Sequence, residues 1–221
     1  MRALREEEVR LQKSATNVPP DAALLKSDFF DCDPRKVARA LLGKLLIRRT
    51  PRGMLAGRVV ETEAYLGEGD AAAHAAAGRT ARNSVLFGPP GHAYVYFIYG
   101  NHFCLNVSCL PDGAPGCVLF RALEPVAGIE EMAKARGIEV RRESDLKKIS
   151  SGPGRMTEAL GITRDRDNGK SLVSAKSDLQ LVDDSYRVRR VVATPRIGIT
   201  KAAEHPLRFL IAGNPFVSGR G

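Results

Sequence analysis

Two apolar runs, AYVYFIY ending at Tyr99 and HFCLNVSCL beginning at His102, are separated only by Gly100-Asn101. A two-residue gap leaves no room for a crossover, so the runs have to pair antiparallel as a β-hairpin. An isolated hairpin is marginal in water and needs further strands beside it. The flanking sequence offers them: GMLAGRVVETEAYL before the hairpin and GCVLFRAL after it. KLLIRR, SLVSAKS, YRVRRVVATPRIGI and LRFLIAG also read as strands. Helices are predicted in three places. PRKVARALLG has Pro34 at its start, Val37, Ala38, Leu41 and Leu42 at helical spacing, and Gly43 as its stop. GIEEMAKARG forms the second, and a Gly-Pro loop in ISSGPGRMTEALGI feeds the third. Residues 68–93, rich in Gly, Ala and Pro, predict a long functional loop with a short helix. Strands outnumber helices, and no repeat or linker divides the chain. The expectation is an α+β fold in a single mixed domain over 21–221, preceded by a charged, flexible arm over 1–20.

Lys and Arg exceed Asp and Glu by 34 to 25, a net charge of +9. Such an excess favours polyanions, nucleic acid first and acidic membrane surfaces second. No apolar run approaches the ~20 residues that cross a bilayer. The opening MRALREEEVRLQKS lacks the apolar centre of a secretory signal. Cys104, Cys109 and Cys117 lie in apolar strand-like runs, and neither they nor Cys32 form a C-x-x-C pair. They read as reduced core thiols rather than zinc ligands or disulfides, which implies an intracellular compartment.

The polar residues embedded in these strands carry the functional signal. A period of two in VVETEAY puts Glu61, Glu63 and Tyr65 on one face and Val60, Thr62 and Ala64 on the other. A carboxyl beside an aromatic at a strand end can be partly buried, and burial raises its pKa into the range of a general base. Spacing alone does not choose between Glu61 and Glu63. His74 follows in the loop, suited to reading a base edge or moving a proton; no second residue stands at metal-ligand spacing beside it. Tyr94, Tyr96 and Tyr99 share the first hairpin strand. Tyr94 fits packing, whereas Tyr99, directly before the turn, is placed to stack on or wedge between bases. Asn106 and Ser108 share a face of the returning strand, opposite Leu105 and Val107. Arg121 sits in an apolar strand and needs an anion, which Glu61, Glu63, Glu124 or a phosphate could supply. Arg79 and Arg82 flank Thr80 in the loop, and Arg155 follows SGPG at a helix start; all three suit phosphate contacts.

Taken together, VVETEAYLG followed by D-x-x-x-H, the loop Arg-Thr-Ala-Arg-Asn, YVYFIYGNHFCLNVS, VLFRALEP, SGPGRMTEALGI and RIGI with PLRF resemble the alkyladenine (methylpurine-type) DNA glycosylase family. The resemblance runs in order from about residue 30 to the C-terminus. It implies a curved antiparallel sheet with flanking helices and a protruding hairpin, no metal and no organic cofactor. It also implies excision of alkylated or deaminated purines from double-stranded DNA by a monomeric enzyme that leaves an abasic site. Of the two acids it selects Glu63 as the base that deprotonates water. It places Tyr65, His74, Tyr96 and Asn106 around the extruded base, Arg121 beside base and water, and Tyr99 in the gap left in the duplex. The chain departs from vertebrate relatives at the hairpin tip, where Gly100-Asn101-His102 replaces larger apolar groups. Two other functions use the same residues: a non-catalytic nucleic-acid binder, and a hydrolase acting on free nucleosides.

Overall fold

Strand β3 (Gly53–Tyr65) is the longest element of the fold, and the site is built on its C-terminal half. The computed structural model describes residues 18–98, 100 and 102–219. Before β3 come β1 (Ala23–Leu24), α1 (Pro34–Leu41) and β2 (Leu45–Thr50). After it come β4 (Ala93–Ile98), β5 (His102–Cys109), β6 (Gly116–Ala127) and α2 (Ile129–Ala135). The chain continues through α3 (Glu143–Ser150), α4 (Pro153–Ala159), α5 (Arg164–Asp167), β7 (Leu179–Asp183), β8 (Val191–Thr194) and β9 (Arg208–Ile211). The nine strands of the described residues belong to one open sheet in the order β1-β7-β2-β3-β6-β5-β4, with β9 branching from β3 and β8 pairing with β9. Every pairing is antiparallel. The fold is α+β, as expected from the sequence.

One edge of β3 is shared by two partners in succession. β2 pairs with Gly53–Arg58, and β9 takes over at Glu61–Glu63, while β6 runs along the other edge. At the handover the β3–β6 register shifts twice: Val59 faces Leu123, Glu61 faces Ala122 and Thr62 faces Phe120. Val60 is therefore the extra residue on β3 and Arg121 the extra residue on β6. A bulge resets the two-residue alternation. Val59 and Val60 consequently both enter the main core, and from there on Glu61, Glu63 and Tyr65 take the opposite face. The helices cover the core face. Val37, Ala38 and Leu41 of α1 pack there with Leu146 and Ile149 of α3 and Met156 and Ala159 of α4. Thr62 confirms the direction by donating its hydroxyl to the Ala38 carbonyl at 2.9 Å.

α1 starts where the sequence places it, with Pro34 in its first turn and the Asp33 carboxylate accepting the Arg35 N–H at 2.8 Å. The hairpin also forms as expected, registering Ala93 with Val107 and Ile98 with His102, and Gly100 adopts φ +74° in the turn. It protrudes because β6 pairs with β5 only over Asn106–Cys109. Underneath, α4 supports the protruding half, with Thr157 donating its hydroxyl to the Phe103 carbonyl at 2.8 Å. The exposed edge of β4 is capped by residues 168–170. Val95 N–H donates to Asn168 Oδ1 at 2.9 Å, and Ala93 exchanges backbone bonds with Gly169 and Lys170. A buried Arg48–Asp167 pair at 2.7 Å anchors that cap.

Three sequence expectations need correction. SLVSAKS is a series of turns, because Ser174 and Ser177 accept backbone N–H groups two residues on and compete with a ladder; the strand is β7, immediately after. Only Val191–Thr194 of YRVRRVVATPRIGI is a strand. Helix α3 was not anticipated; it is started by the Asp145 carboxylate, which accepts the N–H groups of Arg141 and Arg142. All four cysteines are free, and Cys104, Cys109 and Cys117 are buried. Most of the expected N-terminal arm, residues 1–17, lies outside the described residues; Val18 and Ala22 pack on a second apolar cluster built around Leu45, Ile47 and Val182.

Candidate functional site

On the face turned away from the helices, the end of β3, the hairpin, the loop around His74 and the segment 197–199 enclose a cavity of about 340 Å³. Tyr65, His74, Arg82, Tyr96, Asn106 and Arg121, all singled out in the sequence, line it together. Arg79 and Arg155 do not. Arg79 is exposed and lies over the Phe87 ring, and Arg155 is exposed on α4, donating to the Ser151 carbonyl. Tyr99, at the hairpin tip, lies outside the described residues. Among those residues, no group of three His, Cys, Asp or Glu side chains converges as a metal site.

Glu61 and Glu63 are both fully buried. Glu61 is saturated: Oε1 accepts Arg121 Nε at 2.9 Å and Arg208 Nε at 2.6 Å, and Oε2 accepts the Ser218 N–H at 2.6 Å. Glu63 lies behind the cavity wall, bonded to three residues that form it. Its Oε1 accepts the Ile197 N–H at 2.8 Å and lies 3.1 Å from Arg121 Nη1. Its Oε2 accepts the Tyr65 hydroxyl at 3.0 Å. Burial pushes the Glu63 pKa above its ordinary value, although Arg121, the Ile197 N–H and the Tyr65 hydroxyl pull the other way. The pair thus divides into a carboxylate held between two guanidiniums and one whose other partners are a tyrosine hydroxyl and a loop amide.

Aromatic rings line the cavity. The His74 ring sits edge-on to Tyr96, with centroids 4.4 Å apart, and its Nδ1 shares a 2.9 Å hydrogen bond with the Tyr94 hydroxyl. Nε2 has no protein partner among the described residues. Although the residue is exposed, desolvation of its ring in the cavity wall, reinforced by Arg82, lowers the His74 pKa and favours the neutral ring. Asn106 is held by Nδ2 donating to the Tyr94 carbonyl at 3.4 Å and by its Oδ1, 3.8 Å from Cys117 Sγ. Its amide is therefore a fixed polar group in a wall that also holds Tyr65, Tyr96 and Leu119. Phe97 and Ile197 also line the cavity and expose 47% and 38% of their surface, leaving apolar surface at its mouth.

Sequence reasoning missed two contributors. Tyr94 read as packing, yet it both packs, at 1% exposure, and hydrogen-bonds His74 Nδ1. Ile197 carried no signal because it acts through its backbone N–H, which any residue but proline supplies. Arg121, by contrast, was flagged through its need for an anion, and it meets Glu61 and Glu63 at once.

Comparison with known proteins adds an independent finding. Residues 28–215 match the family model described as methylpurine-DNA glycosylase (MPG). A protein of Koribacter versatilis, provisionally named a 3-methyladenine DNA glycosylase, is 66% identical over 198 residues, spanning 90% of this chain and 94% of its own. Similarly named proteins of Methanocella arvoryzae and Methanoculleus marisnigri are 48% and 47% identical, covering 89% of this chain and 96% and 99% of theirs.

Proposed function

The chain belongs to the methylpurine-DNA glycosylase family, and from that premise we propose that it extracts alkylated or deaminated purines from duplex DNA and hydrolyses their glycosidic bond with water activated by Glu63. The observation that carries the proposal is a buried, pKa-raised carboxylate bonded to the walls of an aromatic cavity. At about 340 Å³ the cavity lies within the ~300–1,000 Å³ of small-molecule pockets, enough for a flipped base.

In this reading Lys and Arg attach the protein to phosphates without regard to sequence, with Arg79, Arg82 and Arg155 among them. The damaged nucleotide rotates out of the stack, and Tyr99 fills its place. The base enters between Tyr65 and the His74–Tyr96 pair, and the Asn106 amide screens its exocyclic groups. Glu63 removes a proton from water, whose oxygen bonds to C1′ as the C1′–N bond breaks and its electrons leave with the base. Arg121 keeps both Glu63 and the base oriented. A cationic alkylated purine departs neutral; a neutral lesion such as hypoxanthine takes up a proton as it leaves. No lysine lines the cavity among the described residues, so the product is an intact abasic site rather than a cleaved strand. The protein works as a monomer on double-stranded DNA, wherever the genome is held.

Single-turnover release of hypoxanthine or 3-methyladenine from a labelled duplex tests the assignment. Glu63→Gln is expected to lose ~10²–10⁴-fold in rate while still binding the lesion duplex. Equal loss of binding and rate would make Glu63 structural. Absence of free base from the wild type would leave a binder without chemistry.

A further inference from the structure

The ion pair between Asp70 and Arg196 lies outside the machinery described above, yet it touches several segments that build the site. Both side chains are buried. Arg196 Nη1 and Nη2 reach Asp70 Oδ2 at 2.5 Å and Oδ1 at 2.9 Å. The same guanidinium donates to the Ala64 carbonyl at 3.0 Å and to the Ala202 carbonyl at 3.3 Å. Its carbon lies 4.6 Å from the centroid of the Tyr65 ring. Arg196 does not line the cavity and Tyr65 does, so the guanidinium supports that ring from outside the wall. Asp70 accepts the N–H groups of Leu66 at 3.2 Å and Ala72 at 3.1 Å, fixing the loop that carries His74 two residues later. Arg196 directly precedes Ile197, whose N–H lies on Glu63.

We propose that Asp70 and Arg196 are positioning residues, a clasp that sets Tyr65, the His74 loop and the Ile197 amide in register with Glu63. The proposal rests on the glycosylase reading for what the register serves, and on the geometry alone for the register itself. A planar fork is required. One guanidinium spans a carboxylate, two carbonyls and an aromatic face, and its Nε finds no acceptor among the described residues. A lysine carries the same charge but cannot span those partners. A misplacement of about 1 Å at a reacting centre costs on the order of 10²-fold in rate. Binding to DNA through exposed phosphate contacts does not depend on that register.

The test compares wild type, Arg196→Lys and Asp70→Asn by amide hydrogen exchange at Ile197, by affinity for a hypoxanthine duplex, and by single-turnover base release. In both variants exchange at Ile197 is expected to accelerate by about tenfold or more. Release should fall on the order of 10²-fold, with affinity within about threefold of wild type. If a single variant does not fold, Asp70→Asn combined with Arg196→Gln leaves no buried charge and carries the same readouts. Unchanged exchange at Ile197 overturns the clasp whatever the rates do. Faster exchange with no loss of rate, in a wild type that releases base, overturns its positioning role. Faster exchange in the variants of a wild type that releases no base would sustain the clasp and sink the glycosylase reading instead.

Discussion

Glu61 and Glu63 stand two residues apart on one face of one strand, equally buried and within reach of the same arginine, yet they keep different company. Glu61 has two guanidiniums and a backbone N–H on its oxygens; it joins β3 to β6, β9 and the C-terminal segment at Ser218. Glu63 shares only Arg121, and its other partners are a tyrosine hydroxyl and a loop amide. Charge compensation is therefore strong on one side of Arg121 and weak on the other. Burial disfavours the Glu63 anion more than its partners favour it, and its pKa rises. The difference lies in neighbours supplied by distant parts of the chain.

Exchanging each acid for its amide separates the two roles, and the largest expected effect is on the rate. Glu63→Gln should lose the ~10²–10⁴-fold acceleration of a general base with little change in unfolding midpoint. Glu61→Gln should show the reverse emphasis. It strips the compensating charge from buried Arg208 and leaves Arg121 with one of its two anionic partners, and breaking a buried pair costs about 3–5 kcal/mol. Urea denaturation measures that loss. If Glu61→Gln unfolds like wild type and abolishes release, the roles are the wrong way round.

A smaller effect appears in the pH dependence. Because the folded Glu63 pKa lies above its ordinary value of 4.5, the proposed base would be lost as pH falls through the raised value, so the acid limb of the rate should begin above the usual glutamate range. The stability consequence has the opposite direction. In that window the native state takes up a proton that the unfolded chain does not, so stability rises as pH falls. The effect is largest between the raised value and the ordinary one, and Glu63→Gln should lack it. The wild-type minus variant difference in urea midpoint, followed against pH, isolates this contribution from Asp70 and Asp145, whose pKa values are lowered. A difference flat in pH would mean that Arg121 and the other partners fully offset the burial of Glu63.

Much of this arrangement was legible in the chain because it follows from local periodicity. The hairpin, α1 and the grouping of Glu61, Glu63 and Tyr65 come from alternation, from Pro34 and from the Gly-Asn turn. Arg121 was legible for an energetic reason, since a guanidinium in an apolar strand has to find an anion. What remained hidden depends on sequence separation or on backbone atoms. The bulges at Val60 and Arg121 leave no residue signature, yet they aim Arg121 at both acids. Arg208 and Ile197 reach β3 from more than 130 positions away. Helix α3 was missed because its starting signal, Asp145, caps the chain from within the first turn rather than before it.

The smallest effect tests the rim of the site, remote from both carboxylates. Tyr94 buries its ring among Ala75, Leu86 and Phe87 and presents its hydroxyl to His74 Nδ1 at 2.9 Å. Burial raises its pKa to about 12, so the phenol stays protonated wherever the enzyme is folded and active. Tyr94→Phe keeps the packing and removes one hydrogen bond, which is worth about 1 kcal/mol, or roughly fivefold. If His74 assists a neutral base as it leaves, the loss should appear in release of a neutral lesion and less in release of a cationic one that leaves without help. Equal losses on both lesions would assign Tyr94 to cavity shape alone. A loss well beyond tenfold on the neutral lesion would move His74 from the rim into the proton transfer itself, and would give the site a second titrating group beside Glu63.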